Sequence, residues 1–275
     1  MKTEDPPRVG LLLRDWRQRR KFSQLDLALR AETSTRHLSC VETGRARPSR
    51  EMVLRLAEHL DVPLRDRNSL LLAAGYAPAY QESPLDSDRM AMARQALRSM
   101  LAGHEPYPAA VVDRVWNIVD SNRSMSLLLD SVPPTLTAGG ANVMRLILHP
   151  DGLPQHCLNF AEVRAHALGR LLHQANGTGH PELQALYDEV SAYPPPPGTG
   201  APAGPVDATG MVVPLRLRTP FGDMALFSMI ATFGAPADVT LSELAVETFF
   251  PMDEETARLL RLHAAAAHPQ GPQGF

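Results

Sequence analysis

The chain has 275 residues, of which 44% are apolar and 21% charged, with a formal net charge of −3. That length suits one or two domains with a real core, and no run approaches the ~18 apolar residues that a membrane-spanning helix requires. The charge is unevenly spread: residues 1–76 hold 15 Lys and Arg against 10 Asp and Glu, a net of +5, and the remainder nets −8. A basic N-terminal unit on an acidic body suits a polyanion-binding head carried by a separate domain. Two cysteines, Cys40 and Cys157, lie far apart and imply no disulfide framework. A reduced cytoplasmic setting is the expectation, and MKTEDPPR has no apolar segment behind it that would make a signal peptide.

In chain order, Val9 to Lys21 has the spacing of a first helix, with Val9, Leu12, Leu13 and Trp16 on its apolar stripe and a basic end. Ser23 is placed to cap a second helix over Gln24–Ala31, and Ser34 a third, in which Leu38 and Val41 face inward. Thr35, Arg36, Ser39 and Cys40 then point outward. Gly44 stops that helix and Pro48 blocks its continuation. A helix with a buried stripe and a small, hydrogen-bonding outer face is what entry into a DNA major groove requires. A generic helical hairpin fits the spacing equally well. Ser49 caps a fourth helix, Arg50–Leu60, and Pro63 opens a fifth that ends at Gly75. Together these predict a compact all-α, five-helix domain over residues 1–76.

The pairs Ser23-Gln24, Leu27-Ala28, Leu38-Ser39, Glu42-x-Gly44 and Pro48-Ser49 resemble the Xre/Cro-type helix-turn-helix of phage and bacterial repressors, over roughly residues 9–75. The resemblance implies that Gln24 and the amides beside it hold a phosphate, while Thr35, Arg36 and Ser39 reach base edges. It also implies a structural pair between Arg17 and Glu42. The full candidate DNA-contacting set is Gln24, Ser34, Thr35, Arg36, His37, Ser39, Arg45 and Arg47. One departure stands out, because Glu32 occupies the turn position usually held by glycine. A side chain at φ > 0 there costs on the order of 1 kcal/mol.

Residues 77–104 read as a Pro/Ser/acid-rich linker followed by a connecting helix, Arg89–Leu101, whose main role is expected to be pairing of subunits. Beyond Pro106 the pattern changes. Ala109–Val112 and Val115–Val119 suggest a hairpin, Asn122 a helix cap, and Asn142–Leu148 a short helix. Asn159 and Glu162 form the pattern of a capping box for a longer helix, and Pro181–Tyr193 is another. Pro194–Pro205 is read as a mobile loop. Met211–Arg218 alternates as a half-exposed strand, with Pro214 arguing for an edge position. Met224–Phe233 is an apolar strand and Leu244–Phe250 a further one, although Thr240 and Glu243 could cap a helix there. Asp253 caps a final helix to Ala267, and a disordered tail, 265–275, is expected. The second domain, 105–264, is thus α+β with four or five mainly antiparallel strands.

Val111-Val112-Asp113-Arg114, Trp116, Asn122, Asn142-Val143-Met144-Arg145 and Leu148-His149-Pro150-Asp151-Gly152-Leu153 resemble the MmyB-like regulator ligand-binding domain. Pro214-Leu215-Arg216, Phe233-Gly234, Asp238-Val239-Thr240 and Phe249-Phe250-Pro251 extend the match, which covers roughly residues 105–262. The resemblance implies a PAS-like fold with an antiparallel sheet and a small, largely apolar ligand of the fatty-acid class. Trp116, Asn122, Met144, Arg145, Arg164, Phe227, Met229 and Phe249 are the candidate ligand-binding residues. The aromatic and methionine side chains among them suit either an apolar pocket or simple core filling. Arg145 and Arg164 either meet a ligand carboxylate or form internal salt bridges with Glu162, Asp151 or Glu247.

His149, His156, Cys157, His166, His173 and His180 lack metal-ligand spacing, and neither a nucleophile elbow nor a phosphate loop occurs. No metal, cofactor or catalytic residue is therefore expected. The sequence reads as a cytoplasmic, homodimeric, DNA-binding transcriptional regulator, not an enzyme, whose partners are a duplex operator and a small apolar ligand. Two alternatives stay open. One is a constitutive regulator whose C-terminal domain only dimerises, and the other an enzyme using the C-terminal histidines.

Overall fold

The computed structural model describes residues 9–196 and 212–267, which form two compact units. The first takes in the chain to Leu85 together with 176–179 and 235–242, and the second the remainder. In the first, five short helices follow one another: α1 (Val9–Arg19), α2 (Gln24–Arg30), α3 (Thr35–Glu42), α4 (Arg50–His59) and α5 (Leu64–Ala73). Three begin at a serine whose hydroxyl accepts an amide proton: Ser23 from Asp26, Ser34 from His37 and Ser49 from Met52. The α2 cap is reciprocal, because the Asp26 carboxylate also accepts from the Ser23 amide. Leu13, Leu27, Leu38, Leu56, Leu60 and Leu71 are fully buried between these helices. Each such side chain contributes about 1.5–3 kcal/mol of hydrophobic stabilisation.

The helices end alike. After α1, α2, α3 and α4 the residue past the cap is left-handed: Lys21 at φ 58°, Glu32 at 50°, Gly44 at 74° and Asp61 at 47°. At α2, the Thr33 amide donates to Ala28 O at 2.9 Å and the Glu32 amide to Leu29 O at 3.3 Å. This is the paired bonding of a Schellman terminus, which explains why the turn needs a positive φ. Glu32 therefore does sit where glycine is preferred.

In the second unit a 3-10 turn leads into α6 (Ala91–Gly103), whose Leu97 and Leu101 are buried as its spacing predicts. Five strands follow: β1 (Ala109–Val112), β2 (Ile118–Ser121), β3 (Leu215–Thr219), β4 (Gly222–Thr232) and β5 (Ala245–Pro251). They form one antiparallel sheet in the order β2-β1-β5-β4-β3, so the domain is α+β and PAS-like, with β3 at an edge. Between β2 and β3 lie α7 (Ser126–Leu129), α8 (Val143–Leu148), α9 (Phe160–Thr178) and α10 (Pro181–Ser191). Helix α11 (Val239–Ser242), which belongs to the first unit, precedes β5 in the chain, and α12 (Glu254–Ala267) closes the described chain.

Several boundaries differ from the sequence reading. The second strand runs over 118–121 and not 115–119, because Asp113 gathers the intervening turn. Its Oδ1 accepts from the Val115 and Asn117 amides, each at 2.9 Å, and throws Trp116 into the left-handed region at φ 71°. Asn122 does not cap a helix; its side chain accepts from the Ala109 amide at 2.9 Å and donates to Tyr107 O at 2.7 Å. Asn159 Oδ1 accepts from the Arg216 amide at 3.1 Å, so the reciprocal box expected at α9 is replaced by a tie to β3. Most of the Pro/Gly loop after residue 196, Met211 and the last residues of the tail lie outside the described residues.

Candidate DNA-reading helix and ligand cavity

Helix α3 is positioned by charge and by close packing. Arg17 of α1 donates from Nε to Glu42 Oε1 at 2.6 Å and from Nη2 to Glu42 Oε2 at 2.8 Å. Gln24 Nε2 donates to the same Oε2 at 2.8 Å, so one buried carboxylate joins α1, α2 and the last turn of α3. Burial opposes ionisation of Glu42, but the hydrogen bonds from Arg17 and Gln24 and the charges of Arg17 and Arg14 outweigh it, so its carboxyl titrates below its ordinary value. Gly10 lets α1 come still closer: a β-carbon there would stand 2.2 Å from Val41 O and 2.8 Å from Glu42 O.

The opposite side of α3 is open. Arg36 is exposed, Thr35, His37, Ser39 and Cys40 are half-buried, and Arg45 in the following turn is exposed. Of the other candidate DNA contacts, the Ser34 hydroxyl is used as the α3 cap and the Gln24 amide group as a partner of Glu42. Arg47 donates to Ala74 O at 2.9 Å and lies over the Tyr76 ring at 5.3 Å. The open face therefore centres on Thr35, Arg36, Ser39 and Arg45.

The second unit contains a cavity of about 70 Å³ between α8, α9 and one face of the sheet. Its apolar walls include Met144 and Ile147 from α8, Val163 from α9, and Leu226 and Phe249 from the sheet. Its polar groups are His166, Arg170, Ser228 and Glu247. Helix α8 is held by Asn142, whose Oδ1 accepts from the Met144 and Arg145 amides at 3.1 and 3.2 Å. The same side chain donates to Val115 O at 2.8 Å and Asn117 Oδ1 at 2.9 Å, tying α8 to the Asp113 turn.

Arg170 lies 4.1 Å from the centre of the Trp116 ring, and its Nη1 is 3.6 Å from Glu247 Oε1. The Trp116 indole donates to Gln174 Oε1 at 2.8 Å, which fixes the ring beneath the guanidinium. Burial pushes the Glu247 carboxyl above its ordinary value, and Arg170 and Ser228 counter this only in part. Partial burial and the charge of Arg170 lower the His166 imidazole below its ordinary value. Among the described residues no group of three or more His, Cys, Asp and Glu could hold a metal, and no helix is long and apolar enough to cross a membrane.

Residues 93–262 match the MmyB-like transcription regulator ligand binding domain, and these are more than half of the chain. The chain belongs to this family. Residues 8–70 match a helix-turn-helix domain. The two matches together make it a DNA-binding transcription regulator with a ligand-binding domain, an architecture of regulation and not of catalysis. No curated protein matches the chain. The solved "Structure of an RNA-binding Light-Oxygen-Voltage Receptor" aligns with 97% of this chain and 64% of its own, at 13% identity and a TM-score of 0.28. A likeness at that level carries no argument.

Within the MmyB-like domain, Met144 and Phe249 are the two candidate ligand residues that line the cavity. Trp116 stands behind it as the support of Arg170, and Asn122 is occupied with the backbone of β1 and its approach. Arg145 turns away, donating from Nε and Nη2 to the two Glu189 oxygens at 2.8 Å each, while Tyr193 donates to the same carboxylate. Burial and that carboxylate push the Tyr193 hydroxyl up to about 12. Arg164 donates to Ser191 O at 2.8 Å. Phe227 and Met229 lie on the opposite face of the sheet, where Phe227 stacks on Phe250 at 5.4 Å and Met229 is 56% exposed. Of the polar groups that face the cavity, Arg170 was signalled only as a charge within an apolar pattern, and Glu247 only as a possible partner of Arg145 or Arg164. Arg170 falls between Ala167 and Leu171 on α9, and Glu247 between Val246 and Thr248 on β5.

Proposed function

We propose that the protein binds a duplex operator as a homodimer, and that occupation of the MmyB-like cavity by a small apolar, fatty-acid-like ligand shifts its affinity for that operator. The observation that carries the DNA half of this reading is α3, anchored from behind by Arg17, Gln24 and Glu42 and carrying an exposed Arg36 on its other side. In it Arg36 reads a guanine edge, Thr35 and Ser39 tune selectivity, and Arg45 contacts phosphate, with the α2 amides beside Gln24 as a second phosphate site. Ser34 caps α3 and Arg47 holds the Ala74 carbonyl, while His37 is a further candidate contact on α3.

Two-fold association sets two copies of α3 about 34–36 Å apart, one turn of DNA. Support for pairing comes from α6, where Met92 and Met100 are 84% and 48% exposed on an otherwise amphipathic helix. The ligand half rests on the cavity, which joins apolar walls to a polar end where Glu247 is buried. For the ligand to regulate, its affinity must differ between DNA-competent and DNA-incompetent arrangements, a coupling of typically about 1–3 kcal/mol.

The test is selection of duplexes from a random-sequence pool by the full chain. Enrichment of paired half-sites one helical turn apart supports the reading, and recovery of unenriched DNA overturns it.

A further inference from the structure

The polar end of the cavity has an unusual inventory. Glu247 is 4% exposed, and among the described residues its Oε2 has no hydrogen-bond partner. Its Oε1 faces Arg170 at 3.6 Å, an ion pair but beyond hydrogen-bonding range. From α9 the facing charged or titratable groups are Arg170 and His166, and from β4 the neighbouring group is the Ser228 hydroxyl. Arg170 is held against the Trp116 ring at 4.1 Å, which directs its charge along the cavity wall. Arg145 and Arg164, the other guanidinia of these helices, are engaged with Glu189 and Ser191.

Two consequences follow from chemistry. With Glu247 ionised, the charge of Arg170 is cancelled and the site is neutral before a ligand enters it. A carboxylate head would then bring a second negative charge against an unpaired carboxylate oxygen in a poorly solvated space. An uncharged head with a hydrogen to donate has the opposite effect, because it gives Oε2 the partner it lacks. The size agrees, since about 70 Å³ accommodates a head group and the first atoms of a chain rather than a whole acyl chain. Ser228 is exposed and marks the side on which the cavity opens, leaving room for the rest of an amphiphile.

We propose that the cavity is a head-group site for an uncharged, hydrogen-bond-donating amphiphile, an alcohol or primary amide, with Glu247 as the acceptor, and that it discriminates against the free carboxylate. This rests on the ligand-sensing reading above and changes the head group which that reading implies. The acyl or alkyl body remains apolar; the head differs from that of a fatty acid.

Calorimetric titration of the full chain at pH 8 with decanol, decanamide and decanoate, all below their aggregation limits, tests it. Decanol and decanamide are expected to bind about tenfold or more tightly than decanoate, the ratio set by one satisfied against one repelled carboxylate oxygen. Glu247→Gln, which keeps the shape and removes the charge, is expected to raise decanoate affinity and erase most of that preference. Decanoate binding as tightly as decanol to the unmodified protein would overturn the head-group assignment and leave the sensing function standing. A preference for decanol that survives in a folded Glu247→Gln protein would also overturn it. If none of the three probes binds, the ligand-sensing reading itself fails and this inference fails with it.

Discussion

Arg17 and Glu42 meet in a two-point ion pair, at 2.6 and 2.8 Å, that ties α1 to the last turn of α3. Both residues are buried, so neither charge can be left alone cheaply. Arg17→Leu is predicted to cost about 3 kcal/mol, towards the lower end for a broken buried pair because Gln24 still donates to Glu42. The double change to Leu at both positions should recover much of that loss. Urea unfolding of the single and double variants measures the difference.

The same pair makes stability depend on acid. The Glu42 carboxyl titrates below its ordinary 4.5 in the folded protein. A depressed folded value stabilises above the unfolded value, and the contribution is lost as pH falls through the folded one. The helix-turn-helix unit is therefore predicted to lose stability below about pH 4.5. In Glu42→Gln that part of the slope should flatten, as urea midpoints measured across the acid range would show.

Gly10 is a packing requirement of α3. A β-carbon would have to push the Val41 and Glu42 carbonyls away. Gly10→Ala is predicted to destabilise by about 1–3 kcal/mol, although alanine is the better helix former. Circular dichroism during thermal unfolding distinguishes this from the stabilisation that propensity alone would give.

Glu32 is the mirror case. It holds φ 50° in the Schellman turn between α2 and α3. Glu32→Gly is predicted to raise stability by up to about 1 kcal/mol, reduced by the greater freedom of glycine in the unfolded chain. Glu32→Val, whose branched side chain fits this region poorly, should lower it.

In the MmyB-like domain, Asn142 makes four hydrogen bonds with one side chain. Asn142→Ala is predicted to cost about 2–4 kcal/mol, combining a lost cap with buried groups left unsatisfied. Because α8 carries Met144 and Ile147 into the cavity, the same variant should weaken decanol binding.

Much of this architecture was legible in residue order. The N-terminal helices announce themselves locally: Ser23, Ser34 and Ser49 cap three of them, and within single helices the buried Val9 and Leu13, Leu38 and Val41, and Val53 and Leu56 recur at helical spacing. The Arg17–Glu42 contact came from family resemblance and not from spacing, since it joins distant positions. The cavity was much less visible. Whether Phe227 and Met229 or Leu226 and Ser228 face it depends on strand register, and a one-residue change exchanges the two sets. The apolar character of Phe227 and Met229 pointed to the cavity, whereas they cover the other face. The Arg170–Glu247 pair likewise arises only when α9 packs on β5, and no local pattern brings those residues together.

The central claim, that α3 reads DNA sequence, is tested most directly by measuring the binding of Arg36→Ala and Arg45→Ala to a selected operator and to single-base variants of it. Arg36→Ala is predicted to lose about 1–3 kcal/mol of discrimination at one base pair per half-site, and Arg45→Ala to weaken all sequences alike and lower the salt slope by about one. Both variants binding the operator and its single-base variants as the unmodified protein does would contradict the account.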